Sequence, residues 1–137
     1  MKKVFADTGY WIAVVNPHDD LHDKALQVSA SLGPHLIVTS EMVLSEVAAY
    51  FSDKGNRLRQ GVVDLIRSIR ANPNSRVVPQ TSLQFQDALA LYQQSFDKEW
   101  SLTDCSSFLI MRELQITESL AHDKHFEQAG FVALLRD

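Results

Sequence analysis

The sequence predicts an α/β fold, a three-layer α/β/α sandwich around a central, mainly parallel sheet. Three observations predict it. Short apolar runs recur along the chain, segments with helical spacing of about 10 to 15 residues separate them, and polar, glycine- or proline-containing turns mark the joins. At 137 residues and 45% hydrophobic, the chain suits one ordinary domain over 1–137, long enough to bury a core and short for two.

The first strand is Val4-Phe5-Ala6, an apolar run that stops at the polar turn Asp7-Thr8-Gly9. A helical stretch opens over 10–15, breaks at Asn16-Pro17, and resumes with Leu21, Ala25, Leu26 and Val28 behind a cap at Asp19 or Asp20. Gly33-Pro34 ends it. Leu36-Ile37-Val38 is the second strand. Thr39 or Ser40 then stands where a cap belongs, ahead of Val43, Leu44, Val47, Ala48 and Phe51 at helical spacing, with Glu46 on that helix. Leu58, Val62, Leu65, Ile66 and Ile69 mark an amphipathic helix closed by Asn72-Pro73-Asn74, and Val77-Val78 makes the third strand. Thr81 and Gln84 have capping-box spacing before Phe85, Ala88, Leu89 and Tyr92. Ser101 and Asp104 repeat that spacing before Phe108, Leu109, Met111 and Leu114. Ser119-Leu120-Ala121 is a strand leading into His122-Asp123, a one-turn helix ends at Gly130, and residues 131–135 form the last strand. There is no internal repeat, linker or low-complexity segment.

No apolar run approaches the roughly 20 residues of a membrane span, and the charged start is unlike a signal peptide, so a cytoplasmic location is expected. The single cysteine, Cys105, has no intramolecular disulfide partner, as suits a reducing compartment. The net charge of −4 argues against a polyphosphate partner, but the 17 acids exceed the 13 bases by four, the number of carboxylates that a metal site would occupy. Lys54, Arg57, Arg59, Arg67, Arg70 and Arg76 form the densest basic stretch. Lys54, Arg57 and Arg59 are its candidates for contacting RNA, against the reading that the stretch is a solvated helix face.

In parallel α/β sheets ligands bind beyond the carboxyl ends of the strands. Asp7 and Asp123 each follow a strand, Asp104 lies in the first turn of its helix, and Glu46 lies just over one turn into its own. Four acids then face one edge. Two carboxylates about 4 Å apart repel by about 4 kcal/mol at an effective dielectric near 20, so such a cluster takes up protons or a multivalent cation. All-oxygen ligands suit Mg²⁺ or Mn²⁺, ions that keep waters and leave room for substrate phosphate oxygens. The chemistry indicated is hydrolysis of a phosphodiester backbone.

Four segments carry a resemblance. Val4-Phe5-Ala6-Asp7-Thr8, Thr39-Ser40-Glu41-Met42-Val43-Leu44-Ser45-Glu46, Trp100-Ser101-Leu102-Thr103-Asp104-Cys105-Ser106-Ser107-Phe108, and Leu120-Ala121-His122-Asp123-Lys124-His125-Phe126 with Gly130-Phe131 resemble, in order, the four acidic motifs of PIN-domain ribonucleases. The resemblance implies a PIN-like sandwich with Asp7, Glu46, Asp104 and Asp123 as the catalytic quartet that binds Mg²⁺ or Mn²⁺, and Thr8 as the supporting hydroxyl. Length and the absence of extra domains look most like VapC-type toxins of toxin–antitoxin pairs. That implies an RNA substrate, a homodimer and a cognate antitoxin. Ala121 departs from the pattern, standing where many relatives carry a threonine two residues before the last acid, and this bears on how Asp123 is ordered.

Other residues suggest other chemistries. His18 and His22 have zinc-pair spacing without further ligands at motif distance. His122 and His125 flank Asp123 and read as edge-of-site groups for phosphate or water. Tyr10, Trp11 and Trp100 can stack bases or serve the core or a dimer face, and Ser106 and Ser107 lack a nucleophile elbow. Asp7 as a phosphoryl-accepting nucleophile is the rival enzyme reading, although Gly9 stands where such enzymes want a second acid. A housekeeping RNA-processing PIN nuclease and a non-catalytic PIN-like RNA-binding module are the remaining alternatives.

Overall fold

The computed structural model describes residues 1–136. Along the chain these residues form β1 (Lys2–Ala6), α1 (Thr8–Val15), α2 (His22–Ser31), β2 (His35–Ser40), α3 (Glu41–Tyr50), α4 (Asn56–Ala71), β3 (Ser75–Val78), α5 (Ser82–Gln94), α6 (Leu102–Glu113), β4 (Glu118–Leu120), α7 (Lys124–Gln128) and β5 (Val132–Ala133). The sheet order is β3-β2-β1-β4-β5, and every pairing is parallel. The chain therefore runs outward from β1 to β3, then returns past β1 to β4 and β5. Because crossovers between parallel strands are right-handed, this reversal puts α1 to α4 on one face and α5 to α7 on the other. The packing follows: α1 lies against α2, α3 and α4, and α6 against α5 and α7.

The expected boundaries shift where backbone pairing outruns apolar pattern. β1 and β2 extend beyond their apolar runs because the Lys2–His35 and Ser40–Val78 positions still pair. β5 is shorter than the apolar run 131–135, since only Val132 and Ala133 meet β4 and Leu134 and Leu135 turn back onto Ser119 and Ala121 carbonyls. The capping residues also sort themselves. Ser40 caps α3, its Oγ accepting from the Val43 N–H at 3.1 Å. Thr39 points into the core, where it donates to the Ala6 carbonyl at 3.0 Å and accepts from Trp11 Nε1 at 3.2 Å. Neither Asp19 nor Asp20 caps α2: Asp19 Oδ1 instead accepts from the Leu21 N–H at 2.9 Å, forming a turn just upstream of the helix. Thr81 caps α5 in one direction only, accepting from the Gln84 N–H.

One hydrophobic cluster runs through the sheet and both helical layers. Tyr10 and Trp11 belong to it, which settles them as core aromatics. On the α6 side, Phe108 is the hub. Its ring meets Trp100 at 4.9 Å, Phe126 at 5.0 Å and Phe131 at 5.8 Å between centroids, the first two edge to face, the arrangement the aromatic quadrupole favours. This cluster ties the start of α6, α7 and the segment before β5 into one rigid unit under the carboxyl ends of β1 and β4.

Candidate metal centre and active-site cleft

The chain reverses direction between β1 and β4, so their following loops leave toward opposite faces and open a crevice, the place where parallel α/β sheets bind ligands. Asp7 is anchored there by its own backbone, whose N–H donates to the Leu120 carbonyl at 3.2 Å. That bond ties the end of β1 to the turn carrying Asp123. Asp123 caps α7, with Oδ1 accepting from the His125 N–H at 3.0 Å. Asp104 completes the capping box foreseen for α6: its N–H donates to Ser101 Oγ at 3.0 Å, and its Oδ2 accepts from the Ser101 N–H at 3.0 Å. Glu46 comes from the second turn of α3, whose Val43, Leu44 and Val47 are buried, leaving Glu46 outward.

All four acids, with Thr8, line one cleft of about 640 Å³. They divide into two kinds. Asp7 and Asp104 are 8% and 7% exposed, whereas Glu46 and Asp123 are open to solvent. Burial pushes the Asp7 carboxyl from 3.8 up to about 8, repulsion from Asp104, Glu46 and Asp123 adds to the rise, and a Thr8 backbone hydrogen bond opposes it. Asp104 is raised too, chiefly by burial, against the lowering pull of the Ser101 N–H and His125.

His125 is the residue that sequence reasoning placed at the edge and the structure places in the middle. Its Nδ1 lies 2.9 Å from Asp104 Oδ2 and 3.2 Å from Asp123 Oδ1. Asp104, Asp123 and His125 each bring one ligand atom within 4.8 Å of the others, a group able to hold a metal ion. Asp7 and Glu46 reach the same cleft without joining that compact group. His18 and His22 join no metal-binding group among the described residues; His22 Nδ1 instead meets the Ala13 carbonyl at 2.6 Å.

The carboxylates and the Thr8 hydroxyl are oxygen donors of the kind a hard divalent cation takes, with the His125 imidazole engaged on Asp104 and Asp123. Thr8 Oγ1 is buried beside Asp7 with no hydrogen-bond partner among the described residues. Such a buried hydroxyl is costly unless something polar meets it. A hydrated cation held among these carboxylates would meet it and relieve their repulsion. Lys54, Arg57 and Arg59 do not line this cleft. They lie just before and at the start of α4, where Lys54 pairs with Asp53 at 3.2 Å and Arg59 Nη1 donates to the Ser52 carbonyl at 2.8 Å. The cationic groups on the cleft wall are Lys124 and Arg136, neither of which stands in a basic run.

The fold and site define a parallel α/β/α sandwich with an acidic, metal-capable cleft at its switch point. No family model matches the chain. The 23S rRNA-specific endonuclease VapC20 of Mycobacterium tuberculosis, in two strains, is 31% identical to it over 130 residues, spanning 94% of this chain and 95% of that protein. The crystal structure of M. tuberculosis VapC20, a toxin that cleaves the sarcin–ricin loop, matches with a TM-score of 0.83 at 29% identity, covering 94% of this chain and 96% of that one. The chain belongs to the VapC family of PIN-domain toxins.

Proposed function

We propose that the 137-residue chain acts as one nuclease domain, the toxin of a toxin–antitoxin pair, and hydrolyses RNA phosphodiester bonds with Mg²⁺ or Mn²⁺. The observation that carries this reading is the cleft that gathers Asp7, Glu46, Asp104 and Asp123 around the unpartnered Thr8 hydroxyl. Those four acids are the proposed catalytic and metal-holding residues, and Thr8 supports them. When bound, the cation polarises the phosphoryl oxygen and lowers the pKa of an attacking water. The chain supplies the rest. Asp7 and Asp104 would hold the cation from buried positions and Glu46 and Asp123 from exposed ones, and His125 holds Asp104 and Asp123 at a set separation. The exposed half leaves the approach open to a polymer.

The substrate class follows from the relative: VapC20 is specific for 23S rRNA and cleaves the sarcin–ricin loop, so a structured ribosomal RNA hairpin is the proposed substrate here. We assign the protein to the cytoplasm, where ribosomes are, with a cognate antitoxin and a homodimeric state as proposed partners. No helix among the described residues is long and apolar enough to cross a membrane.

The test is cleavage of intact ribosomes and of purified 23S rRNA by the protein freed of other nucleases, with termini mapped by primer extension. The reading expects a discrete cut in Mg²⁺ or Mn²⁺ that is abolished by chelator and not restored by Zn²⁺, because hard oxygen ligands favour the former ions. A cut that persists in chelator overturns the metal mechanism. Absence of any RNA cleavage across metals overturns the nuclease reading.

A further inference from the structure

The cleft wall carries five carboxylates, Glu99 in addition to the four acids already described, and a ribonuclease must bring a polyanion against them. A cation at the centre offsets only part of that charge. The side chains with permanent positive charge on the wall are Lys124, the first residue of α7, and Arg136, in the segment after β5, whose bonds to His122 and Glu127 hold it beside α7. Glu99 and Ser101 enter the same cleft just before α6, and Leu21 just before α2. The basic stretch on α4 is elsewhere and partly occupied, with Arg70 on Glu41 at 3.1 Å in addition to the pairs already described.

Resting on the nuclease reading, we propose that Lys124 and Arg136 form a phosphate-binding lip that seats the RNA backbone beside the scissile bond and directs the strand across α7. Arg136 is built for the task. Its Nε pairs with Glu127 at 2.8 Å and its Nη1 donates to the His122 carbonyl at 3.0 Å, so the guanidinium is held rigidly at the cleft edge. A guanidinium fixed in this way retains N–H groups for a phosphate oxygen without the entropy cost of ordering a long side chain. Lys124 is exposed and has no ion-pair partner among the described residues, which leaves its ammonium available as a mobile counter-charge for the adjacent phosphate. The two are 12 residues apart in sequence and line one cleft because β5 returns the chain beside β4.

The experiment measures binding of a fluorescein-labelled sarcin–ricin-loop hairpin by anisotropy, in Mg²⁺, in an Asp7→Asn background that prevents turnover, from about 50 to about 200 mM KCl. Lys124→Gln and Arg136→Gln are each expected to weaken binding by roughly threefold to tenfold and to flatten the slope of log affinity against log salt by about 0.7 to 0.9, with the double variant losing about twice that slope. Arg136→Lys keeps the slope because it keeps the charge. Arg57→Gln with Arg59→Gln leaves affinity and slope at the parent level. Lys124→Gln alters an exposed side chain that nothing in the fold leans on, so it reports on binding even where Arg136→Gln lowers stability. Unchanged affinity and slope in Lys124→Gln and the double variant, from a protein that still cuts RNA before the Asp7→Asn change, overturn the lip and leave the nuclease reading standing. A protein that neither binds nor cuts RNA overturns both.

Discussion

Replacing Asp7 by Asn should make the metal-free protein more stable at neutral pH and leave its stability almost unchanged in acid. The Asp7 carboxyl is raised from 3.8 to about 8 by burial and by its acidic neighbours. Its folded-state pKa therefore lies above its unfolded value, so the folded chain holds the proton more tightly. The stability this group contributes is fully present below pH 3.8 and is lost progressively as pH rises toward about 8. At pH 7 the loss is about 4 kcal/mol, since each unit between the two values costs about 1.4 kcal/mol. Asparagine has nearly the same shape, stays neutral, and its amide oxygen still accepts the Thr8 N–H. In chelator, Asp7→Asn should melt on the order of 10 °C above the parent at pH 7, with the gap closing toward pH 4. Saturating Mg²⁺ should shrink the gap from the other side, because cation binding stabilises the parent and displaces the Asp7 proton. Thermal melts at the two pH values, with and without chelator, measure all of this. A variant that melts below the parent at pH 7 in chelator, or whose advantage does not change with pH, would refute the account of Asp7 as a buried acid held near its neutral form.

Three further outcomes follow from the same geometry. Glu46→Gln and Asp104→Asn should each reduce RNA cleavage by more than the roughly 10- to 100-fold that loss of a ligand's supporting partner costs, with circular dichroism unchanged; wild-type rates in either variant would remove that residue from the site. Ser101→Ala removes one half of the α6 capping box and should cost about 1 kcal/mol in denaturant unfolding while lowering cleavage through a looser Asp104. Phe108→Ala empties the hub beneath Trp100, Phe126 and Phe131 and should cost about 3 to 5 kcal/mol, with hydrogen-exchange protection falling first in α6 and α7.

Elements whose identity depends on local pattern were legible in the sequence: the apolar runs that became strands, the helical spacings, and the Ser101–Asp104 box. That Asp7, Glu46, Asp104 and Asp123 share one cleft was legible for the same reason, since each stands at a strand end or near a helix start. Contacts made across the fold were not. Thr39 looks like a cap, but the Trp11 ring 28 residues away and the Ala6 carbonyl 33 residues away claim its hydroxyl. His125 carries one signal, its nearness to Asp123; its contact with Asp104 is 21 residues distant and needs α6 and α7 to pack together. The basic run gave no pointer to this cleft, because Arg57, Arg59, Arg67 and Arg70 lie on the 16-residue α4, which does not line it, whereas Lys124 and Arg136, isolated in sequence, do.

The unequal burial of the four acids gives the site a direction. A cluster of four exposed carboxylates would bind a cation weakly, because water and mobile side chains already screen their charge. Burying all four would deny a polymer access and carry a desolvation cost that no small domain can offset. Here Asp7 and Asp104 are held in low-dielectric surroundings by elements that cannot easily move: the β1–β4 ladder behind Asp7, and the capping box and aromatic cluster behind Asp104. The burial of Asp7 and the unpartnered Thr8 hydroxyl leave polar groups in the cleft that a bound cation would satisfy, so part of its binding energy would go into relieving that cost. Glu46 and Asp123 remain exposed and can adjust to whatever approaches. On the proposed mechanism the same division accounts for cationic groups at the edge of the cleft: a lysine beside Asp7 would neutralise the acids and compete with a cation, whereas Lys124 and Arg136 would meet an incoming strand.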